Sequence, residues 1–169
     1  MEIVEFGHMT AGQRDELQGD EDDPFGGAGI TLEFQRKQQH VALSDERGRL
    51  VASAGMLVVE VEVADQRFEV VGLGGVIVNA AHRGRGLART VVTAAIARSA
   101  TLGPRFMILF CHPDRAGLYR RLGFAHIDPP VMVHQRDGYA EMSMQTMWRA
   151  LADGATWPSG HLTVRGLPF

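Results

Sequence analysis

The sequence predicts one α/β (α+β) domain spanning residues 1–169. Its centre is a mixed, mainly antiparallel sheet of six to seven strands flanked by helices. Three observations predict it. Residues 38–78 keep a period of two, with Val59, Val61 and Val63 alternating against Glu60 and Glu62, as a strand with one buried face does. From Gly86 to Ala100 the apolar positions change to helical spacing, and alanines let that helix lie close to a sheet. Arg105–Cys111 is then a continuous apolar strand, followed at Pro113 by a second helical stretch.

The elements follow in order. Met1–Phe6 alternates as a strand, and Thr10 with Gln13 forms a capping-box pattern that opens a short helix to Gln18. Residues 19–29 are an acidic, glycine-rich loop, to be read either as solvated surface or as an anionic lip for a cationic ligand. His40–Ser44, Leu50–Val63 and Phe68–Val78 form an antiparallel meander joined by turns at Asp45–Gly48 and Asp65-Gln66. The second helix runs to Arg121 and stops at Gly123. Phe124–Ile127 and Glu141–Arg149 are late strands, and the tail 153–169 holds one short strand at His161–Val164.

Composition narrows the function. The chain has 45% hydrophobic and 22% charged residues and a net charge of -3, with no basic face of the kind that binds nucleic acid. Its apolar runs fall short of the roughly 20 residues of a membrane span, and Met1–Phe6 does not open a signal peptide. Cys111 is the only cysteine, so the expected location is cytoplasmic. The histidines show no metal-ligand spacing, and no metal is expected.

The most informative stretch runs from Gly75 to Arg89. A β-branched strand (Val76, Ile77, Val78) enters a turn containing Arg83, Gly84, Arg85 and Gly86, which leads at once into a helix. Glycines let backbone N–H groups converge on an anion, and the helix start adds unpaired donors and a positive dipole end. Arginines supply charge-assisted donors at the same point. The reading is a pyrophosphate site at the end of a strand.

This stretch resembles the Arg/Gln-x-x-Gly-x-Gly/Ala motif of the GNAT (GCN5-related) N-acetyltransferase superfamily, met here by Arg83, Gly86 and Ala88. The stretch Arg115–Phe124, a helix that carries Tyr119 and ends in Gly123-Phe124, is similar to the superfamily's second motif. The resemblance covers a coenzyme core of about residues 40–127, leaving a C-terminal strand and tail at 141–169. It implies a GNAT fold with splayed fourth and fifth strands and acetyl-CoA as co-substrate. Val76, Ile77 and Val78 would offer backbone groups to the pantetheine. Arg83, Gly84, Arg85, Gly86, Leu87 and Ala88 would wrap the pyrophosphate, with Arg89 near the phosphates of the adenosine end. A backbone N–H at Val78 would polarise the thioester carbonyl, and Tyr119 would protonate the departing thiolate.

The resemblance also implies acetyl transfer to a primary amine by direct attack in a ternary complex. Many relatives carry a glutamate where this chain has Leu73-Gly74-Gly75, so the base must come from elsewhere. The expected candidate is the carboxylate at Phe169, brought into the cleft as Leu167 and Phe169 dock around Pro168. Glu33, Glu60, Glu62 and His112 are alternatives. The Met142–Trp148 strand and the tail look similar to aminoglycoside 2′-N-acetyltransferases. On that likeness the acceptor is a small cationic amine held by Asp22, Asp23, Glu33 and Phe169. A protein or peptide N-acetyltransferase and a non-catalytic acyl-CoA-binding regulator are the competing readings, and a homodimer is left open.

Overall fold

The computed structural model describes residues 1–169. Ten strands form one sheet: β1 (Glu2–Phe6), β2 (Gln39–Ser44), β3 (Leu50–Val63), β4 (Gln66–Val78), β5 (Phe106–Cys111), β6 (Ala125–Ile127), β7 (Met132–Gln135), β8 (Gly138–Glu141), β9 (Gln145–Ala150) and β10 (Leu162–Val164). Three helices flank it: α1 (Ala11–Gln18), α2 (Leu87–Ser99) and α3 (Ala116–Arg121). The expected capping box is formed, with Thr10 Oγ1 accepting from Gln13 N–H and Gln13 Oε1 accepting from Thr10 N–H.

Ten strands exceed the six to seven expected, and the surplus lies in the last third. The β7–β8 hairpin turns at Arg136-Asp137. The single late strand expected over Glu141–Arg149 is two. Met142 turns inward, its N–H donating to Val131 O at 2.8 Å, which ends β8 before the chain crosses to pair β9 with β5.

Strand β3 is the axis. Along its length it pairs with β4; on its other edge its first half pairs with β2 and its second half with β10. Side-chain alternation sorts the core into two faces. Met56, Val71, Leu73, Met107 and Leu109 pack beneath α2 and α3. Leu57, Val70, Ile108, Phe110 and Phe169 pack on the opposite face, where Leu17 of α1 also sits among Ala42, Leu50 and Ile77.

One local irregularity positions everything functional. Gly55 pairs with Gly74 and Ser53 with Ile77, so Gly75 and Val76 together oppose Ala54. Gly75 adopts φ 59°, a backbone suited to glycine. A bulge of this kind bends its strand. Strands β4 and β5 are paired in parallel only over Val71–Leu73 and Met107–Leu109; beyond Leu73 they part.

Candidate active site

Where β4 and β5 part, the structure holds two joined cavities. The first, about 190 Å³, is lined by Val76, Ile77, Val78, Arg83, Gly84, Gly86, Leu87 and Ala88 of the strand–turn–helix stretch, with Tyr119 opposite. The second, about 360 Å³, takes Leu73, Cys111 and Tyr119 from the α2/α3 face and Lys37, Phe110 and Phe169 from the other. It therefore passes through the sheet. Val76 and Tyr119 line both.

The smaller cavity suits a diphosphate. Gly84 and Gly86 have φ 76° and 75°, and a Cβ at either would point into open space rather than protein. Gly86 caps α2 without a side-chain hydrogen bond, which leaves the first-turn N–H groups of a 13-residue helix facing the cradle. Of the ten residues expected to hold coenzyme, Arg85 and Arg89 stand outside the lining, exposed on the turn and on the first turn of α2. Arg83 lines the cavity, but its guanidinium is engaged: Nη1 donates to Glu21 Oε1 at 2.8 Å and Nε to Val78 O at 3.1 Å.

Asn79 N–H donates to Val51 O at 2.9 Å. In an antiparallel ladder, hydrogen-bonded and open pairs alternate, so the polar groups of Val78, opposite Ala52, turn away from β3 toward the cleft. Val78 lines only the smaller cavity, whereas Val76 stands at the junction beside Tyr119. The backbone nearest the throat is thus two residues earlier than expected.

Tyr119 is 7% exposed, its ring edge-on to Phe124 at 5.8 Å between centroids. Burial, reinforced by Cys111, pushes its phenol up to about 12. It stays protonated, and is a weaker acid than a free tyrosine. Burial also pushes the Cys111 thiol up to about 11, so this cysteine lines the cavity as an inert wall.

The acceptor side departs furthest from expectation. Asp22, Asp23 and Glu33 do not line either cavity. The Asp23 carboxylate accepts from Gly27 and Ala28 N–H at 2.8 and 2.9 Å, which holds it below the usual carboxylate range. Glu33 pairs with Arg136 at 2.9 Å. Glu60 and Glu62 face Arg165. The 19–29 loop instead presents Pro24, Phe25 and Gly27, pinned by His112 Nε2 to Gly26 O at 2.8 Å. A short acidic run thus closes its own loop and an ion pair rather than forming a lip.

Phe169 does reach the wall. Gln35 N–H donates to Pro168 O at 2.7 Å, and the Phe169 ring packs on Phe110 with centroids 5.0 Å apart. Cβ atoms built at Gly72 and Gly74 would come within 2.6 Å of that ring and 2.8 Å of the Phe169 carbonyl carbon. The glycines missing an acidic side chain are what admit the tail. Sequence reasoning missed Lys37, which crosses Gly55, Gly74 and Gly75: a Cβ on Gly55 would lie 2.5 Å from its Cγ. Burial holds the Lys37 ammonium below its ordinary range.

The family model described as "Acetyltransferase (GNAT) domain" matches residues 20–127. The chain belongs to the GNAT acetyltransferase family. No curated protein matches it. Among solved structures, it is similar to the GNAT family N-acetyltransferase YhbS from Escherichia coli in complex with CoA, at 17% identity, with 98% of this chain and 94% of that chain covered and a TM-score of 0.59. It is also similar to a GNAT superfamily phosphinothricin acetyltransferase from Sinorhizobium meliloti in complex with AcCoA, at 18% identity, 94% of each chain covered and a TM-score of 0.59. ElaA from Escherichia coli follows the same fold at 16% identity, covering 88% of this chain and 98% of that chain, with a TM-score of 0.57.

Proposed function

We propose that the protein transfers the acetyl group of acetyl-CoA to a primary amine of a small molecule, by direct attack in a ternary complex. The observation that carries this reading is the uncapped, glycine-bounded start of α2 at the mouth of a cleft whose throat holds Tyr119. YhbS and the phosphinothricin acetyltransferase, in complex with CoA and AcCoA respectively, lend it support.

In this reading acetyl-CoA supplies an activated acyl group, and the chain's own residues do three things. The Arg83–Ala88 turn binds the diphosphate through backbone N–H groups and one guanidinium. The β4 edge at Val76 and Val78 orients the acyl group and donates N–H to its oxygen. Tyr119 Oη holds the proton that the leaving sulfur receives. A free thiol ionises near 8.5, so a phenol near 12 is the weaker acid, and full transfer of its proton stays uphill even after the C–S bond breaks. Tyr119 Oη therefore donates a hydrogen bond to the departing thiolate and gives up its proton only as the proton lost by the attacking amine restores the phenol.

The cavity beyond the throat is enclosed by Phe25, Leu32, Phe34 and Phe169, which suits a small acceptor better than a polypeptide. The cationic, aminoglycoside-like acceptor expected from the tail finds no acidic side chain in that wall. Calorimetry with acetyl-CoA, followed by thiol release with amine panels, tests the reading. Coenzyme binding without turnover on any amine would favour a non-catalytic acyl-CoA-binding regulator.

A further inference from the structure

A third cavity, of about 270 Å³, opens on the α1 face of the sheet and adjoins the acceptor cavity at Phe25, Lys37 and Gly75, which line both. Its titratable lining is basic throughout: His8, Arg14, Arg36, Lys37 and His40, with no aspartate or glutamate. This stands out in a chain whose net charge is -3. Seven arginines elsewhere pair with a carboxylate, among them Arg49, Arg67 and Arg136. Arg14, Arg36 and Lys37 pair with none, and Lys37 donates no hydrogen bond.

The position is as telling as the charge. Lys37 lies flat in a channel left by Gly55, Gly74 and Gly75, with its ammonium at the seam between the two cavities. Apolar Met9, Leu17 and Ile77 form the rest of the floor. His40 is bound through Nδ1–H to Gly7 O at 2.6 Å, and burial disfavours its charged form. The fixed charge therefore comes from the two arginines, with Lys37, whose ammonium burial disfavours, beside them. Like charges left unpaired around one concavity raise the local concentration of anions and bind them through charge-assisted hydrogen bonds.

We propose that this cavity is an anion subsite in which Arg14, Arg36 and Lys37 hold a carboxylate or phosphate group of the acceptor, while the acceptor's amine enters the neighbouring cavity toward Val76 and Tyr119. The inference rests on the acetyl-transfer reading and names its substrate class: amines that carry an anionic group. The two substrates then use separate basic sites on opposite faces of the sheet, the coenzyme at α2 and the acceptor at α1.

Four amines of similar length decide it: 3-aminopropylphosphonate, 4-aminobutyrate, 4-aminobutanamide and 1,4-diaminobutane. The two anionic amines should give kcat/KM at least about tenfold above the neutral and dicationic ones. Arg14→Gln/Arg36→Gln should remove that preference while leaving acetyl-CoA affinity and the rate with 4-aminobutanamide unchanged, and Lys37→Met, which also alters the acceptor cavity, should lower the two anionic amines more than the other two. A diamine or amide that serves equally well overturns the proposal, as do variants that slow all four amines alike, which would mean a structural role. If none of the four is acetylated, the failure belongs to the acetyl-transfer reading. Calorimetry of the CoA-loaded protein with 3-aminopropylphosphonate then judges the subsite alone. Binding that is lost in Arg14→Gln/Arg36→Gln upholds it, and no binding to the wild type overturns it.

Discussion

Arg83 and Glu21 grip each other across 62 positions of sequence, through Nη1–Oε1 at 2.8 Å and Nη2–Oε2 at 2.5 Å. The same guanidinium reaches Val78 O, so one side chain ties the loop, the strand edge and the glycine turn together. Both partners are part-exposed, at 47% and 31%, and such a pair contributes at most about 1 kcal/mol. A phosphate entering the cradle competes with the Glu21 carboxylate for Arg83. Glu21→Gln should therefore tighten acetyl-CoA binding about two- to fivefold, and Arg83→Ala should weaken it about tenfold or more. Calorimetry of the two variants reads both. Weaker binding in Glu21→Gln would mean that Glu21 orients Arg83 rather than competing for it.

Tyr119→Phe keeps the ring against Phe124 and removes only the hydroxyl. Turnover should fall by about 10²–10⁴-fold, with coenzyme affinity unchanged. Because burial favours the neutral phenol and moves it up to about 12, the donor stays protonated as pH rises. The rate should show no alkaline limb near pH 10 that disappears in the Phe variant. A pH–rate profile of both proteins checks this.

Cys111 should resist alkylation. With its thiol near 11 rather than the ordinary 9.0, the thiolate fraction at pH 8 is about 100-fold smaller than for a free cysteine, and the rate with iodoacetamide should fall at least as far. The sign for stability follows. The unfolded chain loses this proton first, so stability is complete below about pH 9 and declines as pH rises through about 11. Cys111→Ala should flatten that decline in urea titrations at pH 8 and pH 10.

Gly72→Ala places a methyl group where the Phe169 ring lies, 2.6 Å from its nearest carbons. The ring must move off Phe110, at a cost of about 1–3 kcal/mol. A lower urea midpoint with an unchanged slope is the expected result.

The sequence patterns that read correctly were the locally determined ones. Thr10 and Gln13 cap a helix through bonds that span three residues, and α2 declares itself by its own period. The β7–β8 hairpin was missed although Val131-Met132-Val133 is an apolar run and Asp137-Gly138 marks a turn. Lys37 had no local signal at all. Its place depends on Gly55 and Gly74 facing each other across two strands, a coincidence visible only once the strands are paired. The acidic run Asp20–Asp23 reads differently for the converse reason: two of its four carboxylates, Asp23 and Glu21, are engaged by Gly27, Ala28 and Arg83.

Strand β10 is only three residues long, yet it sits inside the sheet, antiparallel to β3 on one side and parallel to β7 on the other. The hairpin of β7 and β8 joins the remaining strands through it. During synthesis, then, the outer edge of Val61–Val63 and the inner edge of Met132–Val133 must both wait, unpaired, until residues 162–164 emerge from the ribosome. For that interval the nascent chain presents two open backbone edges flanked by valines, a surface prone to pairing with other chains. Closure of the sheet between β3 and β7 thus waits on three residues far along the chain.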